Sequence, residues 1–387
     1  MFANKEVPMR VIFEETGNFA ALIDAFTELA NMPETQGIMI LACEANDWKF
    51  DEVEHWLKSS AIPIFGGVFP QIVSGVKNYE KGTILVAFKE KLEIFTVKGL
   101  GDTTINFEDQ LTPYADQWQP PEKEGSETFI VFVDGLSKRI ADLVETMFYC
   151  FGLSRNYIGG GAGSLSFKQK PCLFCQKGFL QDAAVVARLD VTCGTGVAHG
   201  WQTISDSMKV TGSEGNKLKT LEWQPAFQVY QQLIKDFSGK IFTDDNFFEI
   251  AKSFPFGITR LDTEVVVRDP LMKGPSDSLI CVGEIPAGSF VRLLNGRPET
   301  LIEAAIKARQ LAESNVADLP ESANAFIIDC ISRVLFLEDR IAEELSAAAG
   351  SHKMFGAMTL GEIANNGRDY LEFFNKTTVI GIFSDKS

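Results

Sequence analysis

Three imidazoles are present, His55, His199 and His352, so any metal site or acid–base step that needs one must draw on these. His199 lies in "GVAHGWQ", an apolar strand broken by glycine and followed by Trp201. A histidine in that setting reads first as a core residue with its ring hydrogen bonds satisfied, and second as a metal ligand. His352 lies in "AAAGSHKMFGA", just past a helix end, where a loop position leaves the ring available to a pocket. His55 falls on a helix face among acidic residues and reads as solvated.

The cysteines number seven, and several sit inside apolar runs such as "AFIIDCIS" and "SLICVGEI". An odd count in that setting fits reduced, buried thiols better than a disulfide framework. Cys172, Cys175, Cys193 and His199 follow a C-x2-C-x17-C-x5-H spacing, superficially that of a structural zinc site. The intervening "DAAVVARLDV" reads as sheet and no second paired knuckle exists, so unpaired thiols or a redox-labile pair are the competing readings.

The stretch "YIGGGAGSLSF" carries Gly159, Gly160, Gly161, Gly163 and Ser164. A dinucleotide fingerprint needs its glycines between a strand and a helix, and a phosphate loop needs Lys-Ser/Thr directly after them. Neither context is present. Close backbone crossing is the structural reading. The functional one makes these five residues the wall of a cofactor or ligand pocket, since exposed backbone N–H groups can meet an anion. No hydrolase elbow, zinc-protease, kinase or Walker motif occurs. Glu214 in "GSEGN" and Glu362 in "TLGEI" are isolated acids in turn contexts; a general base working with Cys172 is the least supported use of them.

The elements that must hold these residues repeat. "IMILAC", a helix, "IPIFGGVFPQIV" and "TILVAF" are followed by "TFIVFVDG", a helix, "YIGGGAGSLSF" and "AAVVAR". "AFIIDCIS", a helix, "MFGAMTLGEI" and "TTVIGIF" give a third copy. Each copy reads as strand, helix, glycine turn, strand. The stretch between the second and third copies is strand-rich, with Pro-Ala-Gly and Asn-Gly turn signals. The expectation is an α/β fold of mixed sheets built from duplicated units, in two packed halves at 36–225 and 226–383. The three glycine turns are expected to approach one another.

A formal net charge of -16 disfavours nucleic acid and anionic lipid as partners. No apolar run nears the ~18 residues of a membrane span, and the N-terminus lacks a secretory pattern, so the cytoplasm is expected.

"IGGGAGS", "DAAVVARLD", "GVAHGWQ", "VTGSEGN" and "PAFQVY", in that order, resemble the N-terminal half of FIST domains. "FPFGI", "EVVVRDP", "GEIPAGSFVRLL", "GAMTLGEI" and "NKTTVIGIF" resemble the C-terminal half. The resemblance implies a ligand-binding sensor in signal transduction rather than an enzyme, with amino acids the general suggestion for the ligand. A stand-alone chain of this kind is similar to bacterial haem proteins that sense nitric oxide and regulate a separate histidine kinase. That version implies haem b, with His199 or His352 as the iron ligand. A metabolite sensor without haem is the alternative, and an enzyme comes third. An imidazole on a short loop with apolar walls is compatible with haem, although core packing accounts equally for the 31 phenylalanines.

Overall fold

The computed structural model describes residues 9–259, 265–316, 319, 323–365 and 370–384. Residues 260–264 of the strand-rich stretch lie outside them. In chain order the first part holds β1 (Met9–Glu14), α1 (Phe19–Ala30), β2 (Gly37–Cys43), α2 (Phe50–Ser59), β3 (Ile64–Phe69), β4 (Gln71–Ser74), β5 (Lys77–Tyr79), β6 (Thr83–Phe88) and β7 (Leu92–Lys98). The second holds α3 (Phe107–Gln117), β8 (Thr128–Asp134), α4 (Ile140–Phe151), β9 (Asn156–Ala162), β10 (Leu173–Cys175), β11 (Gly178–Leu180), β12 (Ala183–Leu189) and β13 (Thr192–Ala198). The central strands are short Ile-, Val- and Phe-rich runs buried along their whole length, as strands covered on both faces must be.

An insert follows: β14 (Gln202–Thr203), β15 (Met208–Glu214), β16 (Lys217–Leu221), β17 (Gln224–Pro225), α5 (Ala226–Ser238), α6 (Phe247–Ala251), β18 (Phe256–Ile258), β19 (Val266–Lys273), β20 (Leu279–Val282) and β21 (Phe290–Asn295). The last part holds α7 (Pro298–Ser314), β22 (Asn324–Cys330), α8 (Ile331–Leu337), α9 (Ile341–Ala349), β23 (Lys353–Thr359), β24 (Glu362–Asn365), β25 (Leu371–Phe374) and β26 (Thr378–Ser384).

The three repeats share one plan. β2 pairs β3 in parallel and β6 antiparallel; β8 does the same with β9 and β12, and β22 with β23 and β26. Around these cores the units exchange strands in cyclic order. Hairpin β4–β5 leaves the first unit and joins the third at β23, β10–β11 leaves the second and joins the first at β3, and β24–β25 leaves the third and joins the second at β9. β7 likewise crosses to the second sheet and β13 to the third. Neither half of the sequence therefore completes its own sheets.

The glycine stretches are strands, not turns. Their shared register explains the residue. Gly66 faces Ile40, Gly159 faces Val131 and Gly356 faces Ile327 in the three parallel pairs. A Cβ at Gly66 would lie 1.9 Å from the Ile40 carbonyl oxygen, and at Gly159 and Gly356 1.8 Å from those of Val131 and Ile327. Only a residue without a side chain permits that approach. β3, β9 and β23 also touch one another, so the expected meeting of the three stretches is found.

The insert is built differently. β21, β15, β16, β20, β19 and β18 pair antiparallel in that order, and β18 returns to β21, closing a six-stranded ring. Ala226, Phe227, Tyr230 and Ile234 of α5 share its apolar core. The ring draws β15 and β16 from before residue 225 and the rest from after it. A boundary at 225/226 therefore falls inside one sheet system.

Candidate ligand pocket

A pocket of about 540 Å³ opens where the ring meets the second and third units. Its walls are the segment Gly135–Ala141 after β8, Cys330–Ser332 with Leu335 after β22, and Leu360–Gly361 between β23 and β24. Glu214–Asn216, Asp269 and Cys281–Glu284 close it from the ring, and Phe373 and Asn375 form one end. In α/β folds ligands bind beyond the carboxyl ends of parallel strands, and β8 and β22 both point their carboxyl ends here. Most of the lining is apolar: Leu136, Ile140, Phe248, Leu271 and Leu335 among others. That is the usual make-up of a small-molecule site with a few polar groups.

Those polar groups are unusual in what they lack. Asn375 is 1% exposed, yet neither Nδ2 nor Oδ1 has a hydrogen-bond partner. Asp269 is buried with Oδ2 3.1 Å from Lys376 Nζ, while Oδ1 has no partner. Burial raises the Asp269 carboxyl above the usual range, against the pull of Lys376. Burial also raises Glu284, with Asp142 adding to the shift and Arg268 and Arg139 opposing it. A buried polar atom left unpaired costs about 1–3 kcal/mol. The three atoms without partners belong to two residues of the pocket lining, Asn375 and Asp269.

Asn375 is continuous with a buried ionic network. Its neighbour Lys376, in the left-handed region at φ 55°, donates from Nζ to the Lys252 carbonyl at 3.0 Å. The Lys376 carbonyl accepts from Trp201 Nε1 at 3.0 Å and from Arg333 Nη1 at 3.2 Å. Arg333 is fully buried and also donates to the carbonyls of His199 and Leu301 and to Glu344, with Asp329 Oδ1 3.2 Å from its Nε. Glu362, equally buried, accepts from Thr359 and Thr377. One guanidinium thus serves two buried carboxyls, Asp329 and Glu344, with Glu362 adding its charge beside Asp329. Burial and the Glu344 charge push Asp329 up to about 8, against Arg333, and burial and Asp329 raise Glu362.

This sets a pH dependence. An Asp329 that holds its proton until about pH 8 when folded, but only to ~4 when unfolded, loses stability as pH rises through that window. His199 works in the opposite sense. Burial, with Arg333 and Lys307 adding, lowers it to about 3, so its contribution is lost as pH falls below the ordinary histidine value of ~6.5. The melting temperature is expected to be higher at pH 6.5 than at pH 8, and Asp329→Asn is expected to flatten that difference. A wild-type profile rising from 6.5 to 8 would contradict the assignment.

The sequence-based candidates fall elsewhere. His199 Nδ1 accepts the Trp201 backbone N–H at 2.9 Å, so the neutral ring carries its proton on Nε2. His352 Nε2 lies 3.0 Å from Glu313 Oε1, and its Nδ1 is buried without a partner. Neither ring lines the pocket. In this geometry neither ring is offered to that pocket: His199 Nδ1 already accepts a hydrogen bond, and His352 Nε2 is engaged by Glu313 on α7. Cys172 and Cys175 flank and end β10 in the first sheet, while Cys193 lies on β13 in the third. All seven thiols are free, and among the described residues no three His, Cys, Asp or Glu form a metal-holding group. The C-x2-C-x17-C-x5-H spacing does not bring its four residues into such a group. Burial raises Cys172 well above the ordinary thiol range and raises Cys175 as well.

Gly159, Gly160 and Gly161 sit in the β9 ladder, and the N–H groups of Gly161 and Gly163 donate to the carbonyls of Gly361 and Val68 at 2.8 Å. Ser164 bonds Glu44 and Ser166. None of the five lines the pocket. Glu214 does, at its rim, paired with Lys219 at 2.7 Å. Glu362 lies in the buried network, where the thiol of Cys330 reaches it. Asn375, Asp269, Lys376 and Arg333 were missed by sequence reasoning. Their signal is a polar residue set inside an apolar strand context, as in "VVVRDP", "LEFFNKTTVIGIF" and "AFIIDCISRVLF".

Fold and pocket together define a binding protein made of repeated α/β units around a ring insert. The FIST N domain matches residues 37–224 and the FIST C domain matches residues 226–365, and the chain belongs to the FIST family. FIST domains are ligand-binding sensor domains of signal transduction. A search of curated proteins finds no match to the chain. No helix among the described residues is long and apolar enough to cross a membrane.

Proposed function

We propose that the chain is a sensor of a small organic molecule held in the 540 Å³ pocket, and that occupancy is transmitted by contact to a separate signalling protein. The observation that carries this reading is the unpaired polar end of the pocket at Asn375 and Asp269. A ligand that engages Asn375 bears on Lys376, whose carbonyl and ammonium tie Arg333, Trp201, Asp269 and the end of α6 together. Lys252 beside α6 reaches Glu338 between α8 and α9 at 3.0 Å, which brings this route to the surface. The receiving partner, a histidine kinase in the reading the resemblance implies, must distinguish the two occupancy states by affinity. A cytoplasmic location accords with that role.

Haem-based nitric oxide sensing is the competing reading, and the hydrogen bonding of His199 and His352 weighs against it. An absorption spectrum during haem titration separates the two. The organic-ligand reading expects no Soret band that depends on His199 or His352. A stoichiometric band lost in His199→Ala or His352→Ala would replace it with the haem reading. A thermal-shift panel of amino acids and other polar metabolites then tests the pocket. A one-site ligand at ~100-fold over its Kd adds ~2.7 kcal/mol, which is readily seen.

A further inference from the structure

Resting on the pocket reading above, we infer that its polar end takes a ligand presenting an N–H pair beside an acceptor: a primary carboxamide or an amino-substituted nitrogen heterocycle, and not a carboxylate. The Asn375 amide lies between two glycines. A Cβ at Gly361 would fall 3.0 Å from Nδ2, and one at Gly283 3.1 Å from Oδ1. Both glycines have positive φ, 92° and 76°, which further disfavours a side chain there. The amide is thus flanked by two backbone segments that leave no room for a side chain, with the Phe373 ring and the Arg268 side chain reaching the same places. In either orientation the amide offers one donor group, an NH2 with two hydrogens, and one acceptor oxygen. Asp269 Oδ1 adds a second acceptor.

Two acceptors and one donor are matched by two N–H groups and one carbonyl or ring nitrogen. This is the edge that an asparagine side chain pairs with in two bonds when it reads adenine.

The surrounding charges argue against an acid. Lys376 is committed to Asp269 and the Lys252 carbonyl. Arg268 donates from Nε to the Glu284 carbonyl and from Nη1 to those of Val267 and Phe373, with Glu372 3.6 Å from Nη2. Arg139 is held by Asp142 and the carbonyls of Asp102 and Ile105. Lys138 is exposed at the mouth. A carboxylate beside Asn375 would meet the carboxyls of Asp269 and Glu284, with Lys376, Arg268 and Arg139 already engaged. The apolar walls, with Phe248 and Phe373, suit the flat ring of the ligand.

Calorimetric titration with nicotinamide, adenine, nicotinate and benzoate tests this. The expected result is that nicotinamide or adenine binds at least tenfold tighter than either acid. Asn375→Leu is expected to lower that affinity at least tenfold with unchanged or raised melting temperature, because it removes two unpaired buried atoms. Asn375→Asp, which exchanges the donor for an acceptor, serves if the leucine variant does not fold, with the same loss expected. Equal binding of nicotinamide and nicotinate, affinity unchanged in these variants, or no binding of any of the four probes overturns the inference. Ala141→Phe, in the pocket lining on α4, separates the two failures. Loss of all binding there with no preference for amides leaves the pocket standing without this chemistry. Amide binding that survives Ala141→Phe would instead place the site outside the pocket.

Discussion

Arg333→Met is expected to destabilise the protein by about 3–5 kcal/mol, the range for removing one partner of a buried ion pair. The guanidinium is fully buried. Its loss leaves Glu344 and Asp329 without a cation and strips donors from the carbonyls of His199, Leu301 and Lys376. Against a typical stability of ~5–15 kcal/mol, such a loss leaves a marginal protein at physiological temperature. Arg333→Lys should recover little, because one ammonium cannot reach the same set of acceptors. Lowering the pH from 8 to 6 should reduce the deficit, since protonated carboxyls no longer need the cation. Denaturant titration at both pH values checks this. A loss below ~1 kcal/mol at pH 8 would show that the network does not depend on Arg333.

Gly159→Val is expected to prevent folding, and Gly66→Val and Gly356→Val to do the same. At each site the new Cβ would sit within 1.9 Å of a carbonyl oxygen in the neighbouring parallel strand. Backbone in the middle of a sheet cannot retreat by that distance without breaking its ladder, so the cost exceeds the ~1–3 kcal/mol of ordinary overpacking. Gly215→Ala is the control: its φ is 54° but nothing lies within 4 Å of the added carbon. That change should cost about 1 kcal/mol, the usual scale of left-handed strain. Soluble yield and circular dichroism of the four variants report the difference. A folded Gly159→Val protein would contradict the strand register given for β9.

The repeats were legible because each unit writes a buried strand, an amphipathic helix and a glycine-bearing segment in the same order. The glycine segments themselves were misread as turns, since glycine is depleted from strands and favoured in turns. What overrides propensity is tertiary: three strands that must lie unusually close to their parallel neighbours. The cyclic exchange of hairpins left no trace in the sequence, because β4, β10 and β24 pair with strands far away along the chain. The same reason hid the ring insert, whose strands come from both sides of residue 225.

The candidate site was less legible than the fold. Histidines and cysteines drew attention by residue type, yet His199 is tied to Trp201, and Cys172 and Cys193 belong to different sheets. Asn375 shows in sequence only as a polar residue in an apolar strand context. It becomes informative only when its burial and its two missing hydrogen bonds are known.

The central claim, that the pocket between the ring and the second and third units is the sensing site, is tested most directly by one titration. The compound giving the largest thermal shift is titrated into the wild-type protein and into Ala141→Phe, whose added ring occupies the pocket from α4. The account predicts saturable one-site binding to the wild type and at least a tenfold weaker affinity in the folded variant. Equal affinity in both proteins would contradict it.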